Sequence, residues 1–290
     1  MTLTPSSELL AAAVEKRCAV MAFNAITIEH AEGIAAGVER AGAVALIQIS
    51  ENTVRFHGGA LAPITAACAQ IAAASAAPLA LHLDHIQDSA LLDEAITAAP
   101  ALGVTSVMID AAHLDADENV GQTAAFVERA HSAGLYVEAE LGQVGGKDGR
   151  VLGAHEPGAR TDPAEAADFA ERTGVDALAV AVGSSHAMTT RDAQLDMALI
   201  RDITAAVSIP LVLHGSSGVS DENLSSAVDA GIRKVNVGTA LNIAFTGAVR
   251  SVMESDAALT DPRKYLVPAR EAVAETVAHL CRVVTGVQAR

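Results

Sequence analysis

At 290 residues, 51% of them hydrophobic, the chain carries apolar surface for either two small domains or one large core. A formal net charge of −16 leaves nothing to neutralise phosphates along a groove, which argues against nucleic acid, and 2% aromatic content with no Trp argues against stacking platforms for bases or sugars. No apolar run reaches membrane-spanning length, no basic-then-apolar segment opens the chain, and Cys18, Cys68 and Cys281 are too widely spaced for a thiolate metal site.

A cytoplasmic protein with reduced thiols and no membrane association is therefore expected. Along the chain, short runs rich in Val, Ile, Leu and Ala alternate with alanine-rich amphipathic stretches of helical length. Strands are predicted at 19–23 (AVMAF), 43–50 (AVALIQIS), 79–84 (LALHLD), 104–110 (VTSVMID), 135–141 (LYVEAEL), 177–182 (ALAVAV), 209–214 (IPLVLH) and 232–237 (IRKVNV). Asp162 and Pro163 open one helix that Gly174 closes; Ser220 and Asp221 open another that Gly231 closes. Near-continuous apolar strands separated by helices imply a parallel sheet covered on both faces. Eight such units predict one domain over residues 1–290, an α/β fold of the (β/α)8 TIM-barrel type. Residues 239–290 supply the last helix and a C-terminal helical extension.

Chemically capable residues gather at the C-terminal ends of these strands: Asn24, Gln48, Ser50, Asp84, His85, Asp110, Glu138, Glu140, His186, His214 and Asn236. In a barrel those ends share one rim, where active sites are built. Strand alternation sends His82 and Asp84 into the mouth and Leu81 and Leu83 toward the helices, with His85 just past the strand. A single histidine at such a place is more often a hydrogen-bonded structural residue. Three of them, His85, His186 and His214, converging from three strand ends with a fourth position open form the ligand set of a catalytic zinc site. Asp84, beside that centre, is placed to pass a proton to substrate or to anchor a histidine, and His82 to orient Asp84 or a ligand. His113, His131 and His155 are expected to be solvated, and His30, His57 and His279 belong to no visible constellation.

Two glycine-bearing loops follow the last strands: HGSSGVSDENL (214–224) and NVGTAL (236–241). Backbone N–H groups at such helix starts receive phosphate, and these two loops are the usual phosphate site of a barrel. Asn24, Ser50 and Gly183 are further candidate substrate contacts on the rim. The loop LGQVGGKDGR (141–150) reads as a mobile lid carrying Lys147 and Asp148, or as a plain surface loop.

Taken together, AFN, IQIS, LHLDH, VMIDAAH, VEAELGQVGG, AVGSSH, LVLHGSSG, KVNVGTAL and DPRKYLVPAR, in this order and over essentially the whole chain, resemble the class II, metal-dependent fructose-bisphosphate and tagatose-bisphosphate aldolases. The resemblance implies reversible aldol cleavage of a ketose bisphosphate to dihydroxyacetone phosphate and an aldehyde, with Zn2+ or a similar divalent ion and a monovalent cation (Na+ or K+) nearby. It assigns the metal to His85, His186 and His214, with Glu140 beside an alternative metal position. Asp84 would move the proton of the aldehyde-derived hydroxyl, Asn236 would contact the enediolate, and Gly215, Ser217 and Thr239 would hold phosphate. A homodimer or homotetramer is implied as well.

Three positions depart from the family pattern. Ala187 follows the second histidine where Gly is usual, DAAH puts Ala112 in place of a small hydroxyl, and Asp148 is the nearest match to the glutamate that moves the ketone-side proton. Arg290 stands where relatives often carry a basic residue near the distal phosphate. Two rival readings keep the fold. A Schiff-base aldolase would need a desolvated lysine in the mouth; of Lys16, Lys147, Lys234 and Lys264, only Lys234 shares a strand face with the rim, at a depth that suits an ion pair. A non-catalytic sugar-phosphate-binding barrel would follow from loss of the base.

Overall fold

The computed structural model describes residues 3–142, 160–186 and 188–286. Eight strands close into a parallel barrel in sequential order: β1 (Val20–Asn24), β2 (Ala45–Ser50), β3 (Leu79–Ile86), β4 (Val104–Ile109), β5 (Tyr136–Leu141), β6 (Ala177–Val180), β7 (Leu211–Leu213) and β8 (Ile232–Val237). All eight lie where the apolar runs predict them. β6 and β7 stop short of their predicted ends because the chain turns into the loops that carry His186 and His214.

Strand residues that face outward, such as Phe23, Ile47, Leu81, Leu83 and Val107, are buried under the surrounding helices in one continuous core. The inward face is divided by height. At the bottom, Val20, Ala22, Leu46 and Ala80 pack against Leu9 and Ala13 of the helix Ser6–Lys16, which plugs the barrel. Above them the interior turns polar, with Gln48, His82, Ser106, Glu138, Lys234 and Asn236 all buried. Small side chains at Ala22, Ala80 and Ala179 leave room for that polar layer.

The plugging helix was not legible in the sequence, and neither was its polar contact with the interior. His82 Nδ1 lies 2.8 Å from Ser106 Oγ, Ser106 donates to Ser6 Oγ at 2.7 Å, and Ser6 Oγ meets Thr105 Oγ1 at 2.7 Å. His82 therefore does not orient Asp84 or a metal ligand, as its place on β3 suggested: its hydrogen bond runs sideways and down to the plug.

The C-terminal extension consists of two helices, Thr239–Ser255 and Arg263–Thr285. The second packs along the helix Ile28–Ala41 at very short range. A Cβ on Gly37 would sit 2.5 Å from the Ala274 carbonyl oxygen and 2.6 Å from Val277 Cβ. Gly37→Ala therefore forces the two helices apart and is expected to cost about 1–3 kcal/mol, as overpacking of a tight core does. A urea melt would show this as a lower midpoint, and an unchanged midpoint would contradict the packing. Among the described residues no helix is long and apolar enough to cross a membrane.

Candidate metal and active site

β3 contributes two neighbouring residues to the mouth by breaking its own alternation. His85 lies inside the strand, not past it, and has φ of +52°. The β3–β4 pairing slips between Leu83 and Ile86, so the strand bulges there and resumes at Ile86 opposite Ile109. Regular alternation would have turned His85 toward the helices alongside Leu81 and Leu83. The bulge returns it to the inside beside Asp84, where its Nδ1 meets Asp110 Oδ2 at 2.9 Å.

The imidazoles of His85, His186 and His214 form one edge-to-face cluster, with ring centroids 5.2, 4.7 and 5.8 Å apart. Glu140 on β5 joins them. One donor atom from each of His85, Glu140, His186 and His214 lies within 4.8 Å of the others. A tetrahedral ion with bonds of about 2.0–2.1 Å sets its donors roughly 3.4 Å apart, so closure needs movements of about an ångström or less at each side chain. The donor set, three imidazoles and one carboxylate, fits a divalent ion.

His214 is fully buried between two carboxylates: its Nε2 is 3.0 Å from Glu138 Oε1 and its Nδ1 is 2.9 Å from Glu140 Oε2. Glu138 in turn accepts from Lys234 Nζ at 2.6 Å, both side chains being out of solvent. Burial disfavours charge on His214, but the two carboxylates outweigh it and raise the pKa to about 9. Burial likewise opposes ionisation of Glu138, and the Lys234 ammonium and the His214 contact override it, holding the carboxyl well below its usual range. Since Nε2 is committed to Glu138, Nδ1 on the Glu140 side is the nitrogen left for an ion, and Lys234 is an ion-pair partner deep in the barrel, as its depth on β8 implied. Among the described residues, Lys16 and Lys264 are exposed, and neither lines the cleft.

A pH dependence follows from His214. A folded pKa raised from 6.5 to about 9 contributes stability that is fully present below 6.5 and lost as pH rises through 9. Metal-free protein is thus expected to lose denaturant resistance between pH 7 and 9, whereas protein saturated with a divalent ion, which needs His214 neutral, should not. Urea midpoints across that range with and without chelator test it.

Asp84 is 3% exposed and held by two amides, with Asn24 Nδ2 donating to Oδ2 at 2.7 Å and Asn236 Nδ2 to Oδ1 at 3.4 Å. Gln48 steadies Asn24 in turn. Burial pushes the Asp84 pKa up, but His85, His82, Lys234 and His214 more than offset it, bringing it to about 2. Asn236 Oδ1 is buried and has no hydrogen-bond partner among the described residues.

Asn24, Asp84, His85, His186 and Asn236 line one cleft together with Gly215, Ser217, Gly238 and Thr239. Gly215 has φ of +64°, and a Cβ there would meet the Ser185 backbone at 2.6 Å, so the β6 and β7 loops touch at this point. Thr239 opens a 17-residue helix whose early N–H groups are largely taken: Ala240 N–H donates to Ser217 Oγ at 3.1 Å, and Leu241 and Asn242 N–H donate to the Gly238 carbonyl at 3.0 and 3.2 Å. Thr239, the first residue of that helix, lines the cleft with Gly238 and Ser217, and a helix start is a place that receives a phosphate.

Two candidate contacts have structural explanations of their own. Ser50 caps the helix Glu51–Phe56, its Oγ accepting from Thr53 N. Gly183 has φ of +120°, and a Cβ there would lie 2.2 Å from the Gln194 carbonyl oxygen. Neither lines the cleft. Asp148, Arg290, Lys147, His155 and Ala187 lie outside the described residues. Of the other histidines, His113 is exposed, His131 pairs with Asp176, His279 with Asp221, and His57 Nε2 meets the Ile26 carbonyl. His30 is buried and stacks on Phe245 at 4.5 Å.

A closed parallel barrel whose C-terminal rim gathers histidines, carboxylates and a helix start defines the class of (β/α)8 barrel enzymes. The profile of the family described as "Fructose-bisphosphate aldolase class-II" matches residues 4–288, and the chain belongs to that family. It is a class II aldolase, a carbon–carbon lyase. The chain is 38% identical over 278 residues to a fructose-bisphosphate aldolase of Geobacillus stearothermophilus, covering 96% of this chain and 95% of that one. A fructose-bisphosphate aldolase of Staphylococcus aureus (strain Mu50) is 37% identical over the same length and coverage. Among solved structures, the YdjI aldolase from Escherichia coli K12 superposes with a TM-score of 0.82 at 30% identity, covering 98% of this chain and 97% of that one.

Proposed function

We propose that this aldolase cleaves a ketose 1,6-bisphosphate, fructose- or tagatose-bisphosphate or a close relative, to dihydroxyacetone phosphate and an aldehyde, with zinc held by His85, His186 and His214 and Glu140 as an additional ligand. The observation that carries the reading is the convergence of one donor atom from each of those four side chains to within 4.8 Å of one another, with His85 and His186 lining a cleft that Asp84 also lines. A bound divalent ion supplies Lewis acidity for the charge that develops on the ketone oxygen.

The chain's own residues supply the rest. Asp84, ionised and steadied through both oxygens, takes the proton from the hydroxyl on the carbon that becomes the aldehyde, and returns it in the condensation direction. Asn236 turns a buried, unsatisfied Oδ1 toward the same space and contacts the dihydroxyacetone half of the substrate. Gly215, Ser217 and the start of the helix at Thr239 hold its phosphate, with Na+ or K+ neutralising charge beside it. The ketone-side proton is assigned to Asp148 and the distal phosphate to Arg290. A homo-oligomer belongs to the same reading.

A panel of ketose phosphates assayed with metal-stripped and zinc-restored protein tests it. Turnover of a 1,6-bisphosphate only after zinc is restored is expected; metal-independent turnover with substrate trapped by borohydride would establish the Schiff-base route instead.

A further inference from the structure

His85 reaches the cleft because β3 breaks register and adopts a left-handed backbone conformation at that residue, an uncommon arrangement for a non-glycine side chain inside a strand. Support comes from two carboxylates. Asp110 fixes the ring through Nδ1 at 2.9 Å. The backbone beyond the bend is fixed by Glu51, the first residue after β2. Its Oε2 accepts from Gln87 N at 2.6 Å and from Asp88 N at 2.9 Å, two consecutive amides starting two residues past His85. Its Oε1 pairs with Arg55.

Glu51 is 5% exposed, so its charge has been taken out of water for these contacts. It reaches them because Ser50 pairs with Asp84 across the β2–β3 ladder, which sets the next residue of β2's continuation level with the bend. The carboxylate also lies at the N-terminus of the helix Ser89–Leu102, whose partial positive charge favours it there.

We propose that Glu51 is a positioning residue of the metal centre: by tying down the amides of Gln87 and Asp88 it holds the left-handed bend that turns His85 Nε2 toward His186, His214 and Glu140. This rests on the metal-centre reading given above. Glu51 touches neither the ion nor substrate and acts only through His85. Outer carboxylates that orient metal-binding histidines typically account for 10–100-fold in metal affinity.

The test uses the full chain and two variants, Glu51→Ala and Glu51→Gln, with Asp88→Ala as a control. Asp88 caps the same helix start through Ala90 N and Leu91 N, so its loss weakens the local structure without touching the Glu51 contacts. Zinc affinity is read by competition with a chromogenic chelator, and ligand geometry by the visible spectrum of the cobalt-loaded protein. Glu51→Ala is expected to weaken zinc binding by about 10–100-fold and to shift the cobalt bands. Glu51→Gln, which keeps an acceptor oxygen, falls between Glu51→Ala and wild type, and Asp88→Ala leaves affinity and spectrum unchanged. Wild-type affinity and spectrum in both Glu51 variants, or an equal loss in Asp88→Ala, would overturn the proposal alone. Failure of the wild-type chain to bind one equivalent of zinc or cobalt would overturn the metal-centre reading and this proposal with it.

Discussion

Asp84→Asn is expected to lower kcat by about 10²–10⁴-fold, the usual contribution of a positioned acid–base group. Asparagine preserves the size of the side chain but cannot take the hydroxyl proton. Asp84 lies beside the metal cluster without belonging to it, so zinc affinity should stay within a few-fold of wild type. The contacts with Asn24 and Asn236 also bear on the outcome: both amides donate to the carboxylate, and an amide at position 84 would present one N–H group toward a donor. A pocket that otherwise keeps its shape would show as a change in KM far smaller than the change in kcat. Unchanged kcat would remove Asp84 from the proton path.

The second large effect concerns the ion. Removing it with a chelator should lower turnover by at least about 10³-fold, because the developing oxyanion loses its main stabilising charge, and zinc should restore it. His214→Ala should show the same loss without recovery at ordinary zinc concentrations. It also strips both Glu138 and Glu140 of the imidazole between them, leaving two buried carboxylates of which Glu138 keeps its bond from Lys234. His214→Ala should therefore melt at a lower temperature than metal-free wild type, whereas chelation alone should not reproduce that extra drop.

The barrel was legible because its signal is periodic and local. Near-continuous apolar runs at regular spacing, closed by glycine and opened by Asp162 or Ser220, need no knowledge of what they touch. The rim was legible for a related reason: strand ends are defined by the same pattern, so His186, His214 and Glu140 fall at the mouth once the strands are counted.

What escaped depends on contacts between distant segments. Alternation sends residue 85 to the wrong face, and only the bulge corrects it; nothing in HLDHIQ announces a left-handed histidine. Glu51 and Gln87 are 36 residues apart, and Lys234 and Glu138 are 96 apart. Neither pairing leaves a trace in spacing. His82 was misread because its neighbours in sequence are chemical, while its partner in space, Ser106, leads down to Ser6 in the plug. Gly37 reads as an ordinary helix position until the Arg263–Thr285 helix is laid against it.

Anomalous diffraction at the zinc edge from crystals of the zinc-loaded protein tests the central claim most directly. One strong peak is expected within bonding distance of nitrogen atoms of His85, His186 and His214, on the side of the cleft that faces Asp84. A peak bound by fewer than two of those histidines, or zinc seated elsewhere with the three imidazoles unliganded, would contradict the account.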